Sequence, residues 1–167
     1  MRLSEVQVKH LEAHNLNALQ ISLVEADLSH GNLCKARIAN ATFKAAQLHD
    51  VTFAEATITD ASFEGAVLTD ISFNRAKMMD LSACDARLED AAFTGCTIHD
   101  ATFESAQFHD VSFVNTSWKD IDFQSAQLKD IDLRQVRIDD AQIDGLTING
   151  VRIDLLLAAH EDKTKTP

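Results

Sequence analysis

From Ile21 onward the hydrophobic and polar positions of this chain recur every five residues. Cut from Ala41, the sequence reads ATFKA, AQLHD, VTFAE, ATITD, ASFEG, AVLTD. In each unit the first residue is small or aliphatic, the third is large and apolar, and the others are mostly polar. The phase holds without insertion to about residue 150. A period of five fits neither the helical repeat of about 3.6 nor the strand repeat of about 2. Two apolar residues flanking one polar residue describe a very short strand with both apolar side chains turned inward, and the remaining polar residues make a corner. Such units stack into a solenoid whose successive turns pair their backbones about 4.8 Å apart.

The third positions then form the core. Phe43, Phe53, Phe63, Phe73, Phe93, Phe103, Phe113 and Phe123 recur at every second unit, and Leu48, Ile58, Leu68, Met78, Leu88, Ile98, Phe108, Trp118 and Leu128 fill the units between. Burial of each contributes roughly 1.5–3 kcal/mol before chain entropy offsets most of it. Where Phe is expected at 83 the chain has Ala83, with Leu81 at the small position two before it. That exchange is expected to conserve volume. The same inversion occurs at Leu11/Ala13 and Leu16/Ala18.

The unit Ala26-Asp27-Leu28-Ser29-His30 reproduces an A(D/N)LXX consensus almost verbatim. On this the chain resembles the pentapeptide-repeat family. The resemblance implies an all-β fold: a right-handed quadrilateral parallel β-helix, with about twenty residues per coil and about seven to eight coils, ending in a short C-terminal capping helix. It also implies a binding surface rather than an enzyme, since some members are DNA mimics that bind DNA gyrase. Phe then occupies two opposite faces of the coil and aliphatics the other two.

The expected organisation is a degenerate first coil or cap over 1–20, the β-helix over 21–153, a capping or dimerisation helix over 154–160, and a flexible tail over 161–167. Ser4-Glu5-Val6-Gln7 is also compatible with the opening of a short helix. Asp154 is a candidate N-cap. Leu155, Leu156 and Leu157 cannot all face one coil, so some are expected either to cap the solenoid or to meet a second copy in a homodimer, as in family members that dimerise through this end.

A second period is superimposed on the first. Asp50, Asp60, Asp70, Asp80, Asp90, Asp100, Asp110, Asp120, Asp130 and Asp140 stand one every ten residues. In a twenty-residue coil they become two columns on opposite corners, Asp50-70-90-110-130 and Asp60-80-100-120-140. Like charges about 4.8 Å apart repel by roughly 1 kcal/mol in water. Two readings account for them. Each Asp caps its turn by accepting local backbone N–H groups, or the columns imitate the phosphates of DNA. Lys35, Arg37, Arg75, Lys77 and Arg137 are expected to dilute the field.

The net charge of −11, from 26 acidic and 15 basic residues, excludes direct binding to nucleic-acid phosphates and favours a partner with a basic surface, such as DNA gyrase or topoisomerase IV. An adaptor or structural scaffold whose acidity serves only solubility is the alternative. Three Cys without zinc spacing, and seven scattered His, point to no metal site, no cofactor and no disulfide framework. No catalytic motif occurs. With no apolar run of signal or membrane length, the expected location is the cytoplasm.

Overall fold

The computed structural model describes residues 2–4, 7–9, 11, 12, 17–19 and 21–164. Almost every strand pairs in parallel with a strand twenty residues away, so one coil takes four units. One ladder runs Leu28↔Leu48↔Leu68↔Leu88↔Phe108↔Leu128↔Ile148. The other runs Ile38↔Ile58↔Met78↔Ile98↔Trp118↔Ile138. The chain is thus a quadrilateral parallel β-solenoid of about seven turns with one short C-terminal helix. Among the described residues, no helix is long and apolar enough to cross a membrane.

The N-terminal stretch shares this register. Arg2–Ser4 pairs with Ser22–Val24, and Asn17–Leu19 pairs with Arg37–Ala39, again twenty residues on. Ser4 and Gln7 lie in strands, which corrects the expectation of a short helix across Ser4–Gln7. Ala13 and Leu16, members of the two inverted pairs, lie outside the described residues.

From Ile21 to Leu128 both inward positions of each unit are buried, the small first residue as fully as the large third one. Ala46, Ala56 and Ala66 are as inaccessible as Phe43 and Phe53. On one face the rings Phe53, Phe73, Phe93 and Phe113 stack at centroid distances of 5.0, 4.8 and 5.0 Å. On the opposite face, Phe43 stacks on Phe63 at 4.6 Å and Phe103 on Phe123 at 5.4 Å, with Ala83 interrupting the column. The Leu81/Ala83 exchange does not conserve volume completely. An apolar void of about 20 Å³ remains, lined by Leu81, Ala83, Phe63, Phe93 and Phe103 among others.

The third residue of the last coil loses its cover, so that Ile138 is 43% exposed. The chain then turns back through an antiparallel pair, Ile148↔Val151, into helix α1 (Ile153–Thr164). This helix is longer than the 154–160 expected and takes in residues assigned to the tail. Ile153 packs against the core, whereas Leu155, Leu156 and Leu157 are 60, 58 and 47% exposed. Asp154 is not the N-cap but sits in the first turn. Its carboxylate accepts hydrogen bonds from the Arg152 guanidinium and from the Gly145 N–H at 3.3 Å. The Arg152 hydrogen bond, with backbone donors, holds the Asp154 carboxyl far below the usual carboxylate range.

Candidate interaction surface

The corners decide what the solenoid shows to solvent. At nearly every fifth residue the backbone enters the left-handed region, with φ of 52–58° from Ala45 to Asp60. The two kinds of corner are nevertheless built differently. After a Phe-type unit the corner is a β-turn, closed by bonds such as Ala46 N–H to Phe43 C=O at 3.1 Å and Ala56 N–H to Phe53 C=O at 3.0 Å. After a Leu- or Ile-type unit the corner is a bend inside a continuous strand, as in Gln47–Thr52 and Thr57–Ser62, or directly after one, as at Asp90 following Arg87–Glu89. All ten periodic Asp occupy these strand bends, and all ten are exposed.

Left-handed geometry favours Gly, Asn and Asp over other residues. It does not by itself explain the columns. The β-turn corners have the same φ, yet they carry Glu55, Gly65, Arg75, Asp85, Gly95, Ser105 and Asn115 in succession. Nor do the periodic Asp cap their corners. Among the described residues no backbone N–H donates to any of their carboxylates. The backbone is capped instead from the polar position between two inward residues. The Gln124 N–H donates to Asp122 Oδ1 at 2.8 Å, and the Arg134 N–H donates to Asp132 Oδ1 at 3.0 Å. The Asx-turn expectation thus applies to a different set of residues.

Charge ordering separates the corners further. On one β-turn corner, successive coils alternate in sign. Lys35 Nζ lies 3.8 Å from Glu55, and Arg75 lies 3.1 Å from the same carboxylate. Lys35 and Arg75 are therefore spent on Glu55 rather than on the Asp columns. Arg137 is likewise held by Asp139 at 2.6 Å. The Asp corners stack like on like. Asp60, Asp80, Asp90 and Asp140 have no ion-pair partner among the described residues. Alongside them run shallow grooves, of about 460 Å³ beside Asn40, Asp60 and Asp80 and about 400 Å³ beside Asp100, Asp120 and Asp140.

Between 97 and 130 the columns are met by imidazoles and lysine ammonium groups. His99 places Nδ1 2.5 Å from Asp100 and Nε2 3.3 Å from Asp120. His109 repeats the arrangement with Asp110 at 3.0 Å and Asp130 at 3.5 Å. Lys119 and Lys129 each lie 3.6 Å from the Asp that follows them. The His are scattered in sequence but not in space. Their sequence signal is the three His-Asp dipeptides at 49–50, 99–100 and 109–110, each of whose imidazoles also meets a carboxylate one coil on. In both clusters one nitrogen and two carboxylate oxygens lie within 4.8 Å of one another, a spacing a metal ion could use. However, the Lys129 ammonium sits 3.3 Å from His109 Nε2 and already supplies a cation there.

Of the cysteines, Cys96 is buried beneath Phe73, donating to its carbonyl at 2.8 Å. Burial pushes its thiol up to about 12, so it behaves as a small apolar residue rather than a nucleophile.

A family model described as a pentapeptide repeat region matches residues 66–143 and 86–160, and a second, eight copies of the pentapeptide repeat, matches residues 21–60. The chain belongs to the pentapeptide-repeat family. No curated protein matches it in sequence. Among solved structures, the pentapeptide-repeat protein Rfr23 from the cyanobacterium Cyanothece 51142 is 17% identical, with a TM-score of 0.42 over 71% of this chain and 88% of its own. QnrB1 in a trypsin-treated variant form, a plasmid-mediated fluoroquinolone resistance protein, is 14% identical, with a TM-score of 0.48 over 96% of this chain and 98% of its own. HetL from Nostoc sp. strain PCC 7120, involved in heterocyst differentiation regulation, is 14% identical, with a TM-score of 0.34 over 89% of this chain and 91% of its own.

Proposed function

We propose that this pentapeptide-repeat protein is a non-enzymatic interaction solenoid, acting in the cytoplasm, whose two Asp columns enter a basic protein groove in place of DNA. The observation that carries this reading is the contrast between two kinds of corner whose backbones share the left-handed φ region. Alternating or mixed residues occupy the β-turn corners, while exposed, stacked Asp occupies the strand bends. Stacking like charges costs stability, and solubility alone would not require it at one corner type only. Two columns with one charge per about 4.8 Å each give one charge per about 2.4 Å of axis, against about 1.7 Å for duplex DNA. Seven coils span roughly 34 Å, one turn of DNA.

A type II topoisomerase, DNA gyrase or topoisomerase IV, is the partner to test, because the family resemblance implies it. A supercoiling assay with micromolar protein is expected to show inhibition or protection from quinolones. Neither effect would leave the adaptor or scaffold reading, which the lysines and histidines along 97–130 favour. The exposed Leu155, Leu156 and Leu157, with Val151 and Ile138 at the same open end, support a homodimer through the C-terminal end.

A further inference from the structure

We propose that His99, Asp100 and Asp120 form a binding site for a divalent transition-metal ion that ties two neighbouring coils together. His99 and Asp100 lie in the strand Thr97–Thr102, and Asp120 lies in the strand Ser117–Asp122 stacked on it in parallel. One imidazole nitrogen and one oxygen from each carboxylate all lie within 4.8 Å of one another. No zinc spacing in the sequence announces this set, because its ligands come from two coils. The state of His99 Nδ1 is what points to a ligand. This nitrogen is inaccessible to solvent, yet it has no hydrogen-bond partner among the described residues. Asp100 stands 2.5 Å from it, but off the line of a ring N–H, so the contact brings two electron-rich atoms together without a proton between them. A desolvated polar atom left without a partner is costly, and a metal ion on its lone pair removes that cost.

The donor set selects the ion. An imidazole with two carboxylates suits Zn²⁺, Ni²⁺ or Cu²⁺, whereas Mg²⁺ and Ca²⁺ prefer oxygen alone. Donors held at about 2.0–2.2 Å by one such ion stand roughly 3–4 Å apart, so small rotations of the two exposed carboxylates complete the site, with water in the remaining position. Asp100 and Asp120 are also successive rungs of one column, and an ion between them replaces like-charge repulsion by attraction. The coil that follows supplies a contrast. His109 repeats the arrangement with Asp110 and Asp130 at 3.0 and 3.5 Å, but there the Lys129 ammonium stands 3.3 Å from Nε2. Lys119 occupies the equivalent place above His99 and lies 3.6 Å from Asp120, yet among the described residues it makes no hydrogen bond to the His99 ring. One cluster is thus served by an ammonium, and the other leaves its imidazole to a metal.

The test is isothermal titration of the full chain with Zn²⁺ at about pH 7.5, where imidazoles as a class are mostly neutral. Wild type is expected to bind saturably, and an excess of Mg²⁺ is expected not to compete. His99→Ala should weaken binding by more than about tenfold, and His109→Ala by less than about twofold. The melting temperature should rise with Zn²⁺ concentration in wild type and in His109→Ala but not in His99→Ala, because an ion that binds only the folded chain stabilises it. No saturable binding by wild type, or an equal loss in the two His variants, overturns the site. Competition by Mg²⁺ at similar concentration overturns the role of the imidazole. Circular dichroism checks that each variant folds. If His99→Ala does not, Asp120→Asn, whose left-handed corner at φ 54° suits Asn, is expected to show the same loss, and Zn²⁺ binding retained in that variant counts against the site.

Discussion

Leu81 and Ala83, two residues apart on one inward-facing segment, line the same void of about 20 Å³ in the middle of the solenoid. The void interrupts the ring column between Phe63 and Phe103. Leu81→Ala alone enlarges it and is expected to cost about 2–5 kcal/mol. Ala83→Phe alone overpacks and is expected to cost about 1–3 kcal/mol. Combined, they restore the pattern of the other coils, so the double variant should be more stable than either single one. Urea unfolding checks this, and strict additivity of the two costs would contradict the packing account.

The Asp columns separate backbone from charge. Asp90, with φ of 53°, is expected to tolerate Asn within about 0.5 kcal/mol, because Asn adopts the left-handed region readily. Asp90→Val places a β-branched residue there and should cost about 1–2 kcal/mol. Replacing Asp60, Asp80 and Asp90 together by Asn should leave melting unchanged or slightly raised and weaken binding of a basic partner. Loss of melting temperature instead would make the carboxylates structural.

Asp154 ties the C-terminal helix to the last coil through Arg152 and Gly145. Its carboxyl titrates below the ordinary range, so the stabilisation is present above the unfolded value of about 3.9 and is lost as the pH falls through the folded value. Wild type is therefore expected to lose thermal stability between about pH 4 and pH 2 more steeply than Asp154→Asn. Parallel acid profiles would dismiss this anchor. The variant should also be the less stable protein at neutral pH.

The exposed leucines of α1 predict self-association. Sedimentation at tens of micromolar is expected to find a dimer, and Leu155→Lys/Leu156→Lys/Leu157→Lys should give a monomer whose melting temperature no longer rises with protein concentration. A wild type that sediments only as monomer would remove the dimer. A variant less stable than wild type at concentrations where both are monomeric would show that these residues cap their own coil.

The five-residue alternation by itself determined the solenoid and its inward faces, whereas the twenty-residue coil that lines up the Phe columns and sets the ten Asp on two corners is what the family resemblance implies and the strand register shows. A coil places residues of one spacing in line only when its length is a multiple of that spacing, as twenty is of ten. Only the tertiary structure separated strand bends from β-turns, since both have the same φ and differ in which backbone groups bond. It also removed Lys35 and Arg75 from the acidic field and brought His99 between Asp100 and Asp120. Those relations join residues twenty or so apart and depend on side-chain reach between stacked coils. The ten Asp remain the most regular feature of the chain, but the coil stacking shows that they bend strands rather than cap turns.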